Sequence, residues 1–212
     1  MGRGGKERGS RAPGRWSPYT PNAPPRSSRL RLIAMPDLTG TSRPMAVLIL
    51  DVDGVMSPIA GGHMGPLPTV WPTWERAAHV RMPVFFSPDL VARLSALPVE
   101  RVWCSTWQDM VDIGLSRSLG WEGQTSLRFP WDTRDQKLGA VQDYLVDHPD
   151  RPFIWVDDDP EVMKVGRRWA RGVAAPHLLM RPAKTVGLTP THVRTIERWC
   201  RALVDGTVGN MG

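Results

Sequence analysis

One stretch constrains this chain more than any other: Ala46-Val47-Leu48-Ile49-Leu50-Asp51-Val52-Asp53-Gly54-Val55. Five apolar residues run into an acid, a valine, a second acid and a glycine. The run is too short for a typical helix, and its β-branched content predicts a fully buried strand. Carboxylates at i and i+2 of an extended strand point to the same side, and a glycine directly after them lets the chain turn sharply. Such a strand delivers two acids to its carboxyl edge, where open α/β sheets bind ligands. Buried acids repel one another unless a cation lies between them. That points to Mg2+, a hard ion that takes oxygen ligands and pairs with phosphates. The plain alternative is a strand followed by a solvated turn, so the rest of the chain has to decide.

The 212 residues are enough for one domain with a real core. The net charge of +6 is unevenly spread: residues 1–44 carry nine Lys/Arg against two acids, +7, and the remainder is −1. Residues 1–44 are rich in Arg, Gly, Pro and Ser, which predicts a disordered basic tail, either a dispensable extension or an arm with weak nucleic-acid contact. The near-neutral remainder argues against a basic nucleic-acid face on the whole domain. That domain is expected over residues 45–205, with a flexible tail at 206–212. Cys104 and Cys200 make neither a disulfide framework nor a CxxC metal site. No apolar run approaches the roughly 20 residues of a membrane span, and no segment of signal-peptide type opens the chain. A cytoplasmic protein without membrane contact is the expectation.

Along the chain, residues 56–87 hold glycines, prolines, Trp71 and Trp74, and read as a small flap over the site, with Val80–Phe86 as a hairpin arm. The two tryptophans either stack on a substrate ring or pack the flap down. Ser87-Pro88-Asp89 caps a helix that Pro98 stops. Val99–Cys104 reads as a strand ending at Ser105-Thr106, and Trp107–Leu119 as a helix with Gly120 at its C-terminus. A short strand is expected near Thr125–Phe129 and a helix over Thr133–Leu145, with Lys137 in its first turn. Phe153–Val156 reads as a buried strand ending in Asp157-Asp158-Asp159, followed by a helix over Pro160–Ala170. Leu178–Met180 is a further strand, and Thr189-Pro190 caps a final helix through Leu203. Strands alternating with helices imply right-handed crossovers and a mostly parallel α/β sheet with helices on both faces. Asp51, Asp53, Ser105, Asp157 and Asp158 then share one edge.

Four features stand in order: Asp51-Val52-Asp53-Gly54-Val55; Ser105 or Thr106 after a strand; Lys137 at a helix start; Asp157-Asp158 after a strand. This resembles the haloacid dehalogenase (HAD)-like hydrolase superfamily. The Trp103-Cys104-Ser105-Thr106-Trp107, Trp155-Val156-Asp157-Asp158-Asp159 and Val186-Gly187-Leu188-Thr189 blocks look like those of small bacterial and phage HAD domains, a group associated with RNA repair proteins. The resemblance implies a Rossmann-like HAD fold with a short flap insert instead of a large cap. It implies an aspartyl-phosphate mechanism, with Asp51 as nucleophile and Asp53 as general acid and base. Mg2+ would sit on the Asp51 carboxylate, the Asp53 backbone carbonyl, and Asp157 or Asp158. Ser105 and Lys137 would hold the phosphoryl group, with backbone N–H groups around Gly54 and Thr106 completing the contacts.

Each position has a plainer reading beside this one. Ser105 can cap the following helix, with Thr106 as its competitor at the phosphate. A lysine in a first helical turn is poorly placed for the helix dipole, which favours a site role, and Arg134 is the alternative cation. Asp159 is expected to cap the helix that opens at Pro160. The expectation is a Mg2+-dependent phosphomonoester hydrolase of small phosphorylated molecules, nucleotides or nucleic-acid ends. The contrasting expectation is a HAD-like binding module that recruits nucleic acid or protein through its tail and flap.

Overall fold

The computed structural model describes residues 46–61, 64–130 and 135–208. The basic tail expected over 1–44, Arg134 and residues 209–212 lie outside them.

The first strand, β1 (Ala46–Leu50), is buried at every position. Ala46, Leu48 and Leu50 pack into one apolar cluster and Val47 and Ile49 into another. A strand covered on both faces needs a continuous apolar run rather than an alternating one, which is why its sequence is so uniform. β1 pairs in parallel with β4 (Val99–Trp103) on one side and β6 (Phe153–Val156) on the other. β5 (Thr125–Ser126) extends the sheet beyond β4, and β7 (His177–Met180) extends it beyond β6. The spatial order is β5-β4-β1-β6-β7. The chain winds outward from β1 to β5, then crosses back to β6 and winds the other way. That reversal beside β1 is a topological switch point, and crevices at strand carboxyl ends form there.

Helices cover both faces. α1 (Pro88–Ser95) begins as its sequence predicts, with the Ser87 hydroxyl accepting the Leu90 N–H. It lies beside α5 (Pro190–Val204), tied by an ion pair between Arg93 and Glu197. Thr189 caps α5, and the His192 ring closes the reciprocal bond to the Thr189 N–H. On the opposite face α3 (Asp135–Val146) contacts α4 (Pro160–Ala170). Gly166 lets α4 press onto β6, since a Cβ there would meet the Trp155 ring at 2.7 Å.

Two expectations are corrected in detail. The helix expected over Trp107–Leu119 begins two residues late: residues 105–108 turn, 109–110 open the helix, Val111–Leu115 widens into a π-helical turn, and α2 (Ser116–Leu119) closes it with Gly120 in the left-handed conformation. The wide turn coincides with Gly114, where a Cβ would stand 2.9 Å from the His79 carbonyl oxygen of the flap. Contact with a distant segment has overridden local helical preference. The flap carries a minimal hairpin, β2 (Glu75–Arg76) antiparallel to β3 (Phe85–Phe86), so only the end of the Val80–Phe86 segment pairs. Its tryptophans pack it down. Trp71 is buried and donates to the Leu188 carbonyl, and Trp74 donates to that of Pro68. Leu188 N–H in turn bonds the Val55 carbonyl, with Gly187 at φ +72° giving room. This accounts structurally for the Val186-Gly187-Leu188-Thr189 block. At the other end, Thr207 N–H still bonds the Ala202 carbonyl and Val208 packs on the core.

Candidate active site

Asp51 ends β1, its N–H bonded to the Val156 carbonyl of β6 and its carboxylate Oδ1 accepting the Val52 N–H at 2.7 Å. The chain then turns tightly: the N–H groups of Val55, Met56 and Ser57 all converge on the Val52 carbonyl. Gly54 makes the turn with φ +69°. It is also the floor for a carboxylate, because a Cβ there would meet Asp158 Cγ at 2.4 Å. Gly54→Ala is therefore expected to destabilise the fold by about 1–3 kcal/mol through backbone strain and to displace Asp158. Denaturant unfolding checks the first effect and Mg2+ titration the second; a variant with unchanged midpoint and unchanged metal affinity would contradict it.

Lys137, in the first turn of α3, is only 7% exposed. Its Nζ donates to Asp51 Oδ2 at 2.6 Å and to Asp157 Oδ2 at 2.8 Å. Asp157 follows β6 and is wholly buried; its other oxygen accepts the Asp159 N–H. Asp159 does what its place before Pro160 predicts, capping α4 by accepting from Glu161 and Val162. A side chain that belongs in solvent thus spans two buried carboxylates instead.

Carboxylate oxygens of Asp51, Asp157 and Asp158 lie within 4.8 Å of one another. Like charges about 4 Å apart repel by about 4 kcal/mol at an effective dielectric of 20. With all three ionised, Lys137 offsets one, which leaves two negative charges on an all-oxygen donor set. That set fits Mg2+ in charge and hardness. The Asp53 carboxylate is not part of this cluster; its Oδ2 accepts the Trp107 indole N–H at 2.8 Å.

The electrostatics follow from this packing. Burial alone would lower the Lys137 ammonium, but Asp51 and Asp157 outweigh it and hold the lysine above its ordinary range. An ordinary ion pair would lower Asp157. Here burial first, and then the Asp51 charge, overcome Lys137 and push its carboxyl up to about 7. Burial likewise raises Asp158, with Asp51 adding to it. Asp53 is raised mainly by burial, against the opposing Trp107 hydrogen bond. Burial holds the Cys104 thiol up, so it is an inert core residue.

A pH dependence follows with a definite sign. From the ordinary aspartate value of 3.8 up to about 7, native Asp157 keeps a proton that the unfolded chain has lost. Raising the pH through that window removes it at a cost in stability. In EDTA, the wild-type melting temperature is expected to fall relative to that of Asp157→Asn as pH rises from about 5 to about 7.5, and Mg2+ is expected to restore it. Parallel melting curves for the two proteins would contradict this.

An open cleft of about 740 Å³ leads to these groups, bordered by Asp51, Thr106, Phe129, Lys137, Asp158 and the β7–α5 loop. Thr106 lines it, whereas Ser105 is buried beneath, its Oγ facing the Trp107 N–H at 3.4 Å. Ser105 thus closes a local turn four residues before the first helical residue and does not cap the helix, while Thr106 faces the cleft. Gln108, at φ 44°, ties the same loop to the Phe129 carbonyl.

Three residues of this neighbourhood have no site role in the sequence reading. Trp107 is one, bonded to Asp53 across 54 positions of sequence. Arg181 and Lys184 are the others, exposed on the cleft wall after β7 and without ion-pair partners among the described residues. Their place after a strand is the one signal that could have found them.

Among the described residues, no helix is long and apolar enough to cross a membrane. A family model for the HAD domain in Swiss Army Knife RNA repair proteins matches residues 47–193. No curated protein and no solved structure matches the chain.

Proposed function

Because the chain belongs to the family of HAD domains in Swiss Army Knife RNA repair proteins, we propose that it is a Mg2+-dependent phosphomonoester hydrolase that works through an aspartyl phosphate, on nucleotide or nucleic-acid end phosphates. The observation that carries this is the convergence of Asp51, Lys137, Asp157 and Asp158 from three separate strand and helix ends, with Asp51, Lys137 and Asp158 lining one cleft and Asp157 buried against Lys137.

In the proposed reaction an Asp51 carboxylate oxygen attacks phosphorus, and the bond from phosphorus to the leaving oxygen breaks. Asp53 gives its proton to that oxygen; burial favours the protonated carboxyl this step needs. The Asp53 carboxylate then takes a proton from water, whose oxygen attacks phosphorus. The acyl phosphate bond breaks, releasing inorganic phosphate and restoring Asp51. Lys137 holds the Asp51 carboxylate in place and offsets charge on the phosphoryl oxygens. Thr106 lines the cleft where one of those oxygens would sit, above Ser105. Asp51, Asp157 and Asp158 would hold Mg2+, with the Asp53 backbone carbonyl as the family resemblance implies, and the ion would screen the anionic nucleophile from the anionic phosphate.

The test is phosphate release from oligonucleotides bearing a 3′- or 5′-terminal phosphate, with Mg2+ and with EDTA. Release that needs Mg2+ is the expected result; none from either end overturns the nucleic-acid reading. Arg181 and Lys184 give the cleft an attractive wall for a polyanion. The Arg181→Ala, Lys184→Ala double variant is expected to raise KM for an oligonucleotide about 10-fold at low salt and to flatten its salt dependence, with KM for a small phosphate ester little changed. An identical salt slope in the variant would remove those residues from substrate binding.

A further inference from the structure

A second cavity, of about 250 Å³, opens between the flap and the loop after β4, lined by Val80, Arg81, Met82, Thr106, Trp107 and Met110. Thr106 also borders the catalytic cleft, so the two spaces adjoin. We propose that this apolar trough seats the base of the nucleotide whose phosphate is cleaved, with Trp107 as its wall and Arg81 as a cationic contact for the anionic backbone. The inference rests on the phosphatase reading and names the leaving group for it.

Position supplies the first argument. In that reading Asp53 protonates the leaving oxygen, and the Trp107 indole is hydrogen-bonded to Asp53. The trough that Trp107 walls therefore lies on the leaving-group side of the phosphate. A group bonded to that oxygen has to extend toward it.

The chemistry of the lining supplies the second. Met82 and Met110 are 57% and 54% exposed, and with Val80 and Trp107 they make one apolar surface. Thioethers and an indole are polarisable and pack well on a flat aromatic ring. A trough this size holds one ring system rather than a larger ligand. Arg81 at the rim is exposed, with no ion-pair partner among the described residues. A flat ring joined to an anionic chain satisfies both features, and a nucleotide within a strand is such a group. Base–aromatic stacking is tolerant of base identity, which suits end processing.

Rigidity supplies the third. The walls are clamped beneath the trough: Gly114 brings the π-helical turn against the His79 carbonyl and the Val80 side chain, and the Ser118 hydroxyl accepts the His79 N–H. The indole is held by Asp53. The surface exists before the ligand arrives, which lowers the ordering cost of binding.

The experiment compares two oligonucleotides of equal charge. One ends in an intact phosphorylated nucleotide and the other in a phosphorylated abasic residue, each made in 3′ and 5′ versions. Fluorescence anisotropy in EDTA measures binding to the full chain without turnover, and phosphate release is followed in parallel with Mg2+. The basic tail contributes equally to both probes. Wild type is expected to bind one of the base-bearing termini about 10-fold more tightly than its abasic counterpart. In the Met82→Ala, Met110→Ala variant that preference is expected to vanish while abasic binding is unchanged; both residues are largely exposed, so the fold does not depend on them. Equal affinities in wild type, or equal weakening of both probes in the variant, would overturn the trough. Base-dependent binding without phosphate release would keep the trough and remove the phosphatase. Release without any base preference would do the reverse.

Discussion

Asp51→Asn is expected to lower phosphate release by about 10^4-fold or more, close to background. The substitution keeps the size of the side chain and the acceptor for the Val52 N–H, so the turn after β1 survives. What disappears is the anionic oxygen that attacks phosphorus in the proposed reaction. Because the carboxamide fills the same volume as the carboxylate, binding of the substrate should fall far less than kcat. Removing one negative charge from a cluster of three also relieves repulsion in the metal-free protein. Asp51→Asn is therefore expected to melt higher than wild type in EDTA at neutral pH while being inactive. Loss of activity together with loss of stability would instead mean that Asp51 is a structural residue.

Lys137→Met carries the second large effect, with the opposite sign on stability. Among the described residues it removes the one cation bonded to Asp51 and Asp157, both buried. Breaking a buried pair from one side leaves an uncompensated charge and costs about 3–5 kcal/mol. Chemical denaturation in EDTA should show that loss, and saturating Mg2+ should recover much of it, since the ion supplies the missing positive charge. Turnover is expected to drop about 10^2–10^3-fold even in the recovered protein, because an oriented ammonium at the phosphoryl group is gone. A variant as stable as wild type without metal would show that Lys137 is a replaceable surface lysine. The Lys137→Met, Asp157→Asn double variant should regain most of the stability without the activity, which separates charge balance from catalysis.

The legible and illegible parts of this molecule divide along physical lines. β1 and β6 are readable because burial on both faces leaves nothing but apolar residues, bounded by acids. α4 is readable to its ends because Asp159 caps it and Pro160 opens it. Lys137 announces itself by standing where a helix dipole prefers an acid. The acids of the carboxylate cluster follow from one rule about strand ends. The π-helical turn does not follow from any local rule, since Gly114 is there to meet a carbonyl 35 positions earlier. Nor does the bond from Trp107 to Asp53, or the arrival of Arg181 and Lys184 at the cleft, which depends on β7 lying two strands from β1. Local pattern reports burial and caps; partners far apart in sequence emerge only when the sheet is assembled.

The proposed role of Asp51 as nucleophile can be tested chemically. Borohydride added during turnover reduces an acyl phosphate, converting the aspartate that carries it into homoserine. Peptide mass mapping of the wild-type protein, quenched this way with Mg2+ and a phosphorylated substrate, is expected to find homoserine at position 51, and to find none when substrate or Mg2+ is omitted. Sustained phosphate release with Asp51 unconverted, or conversion at position 53 instead, would contradict the account.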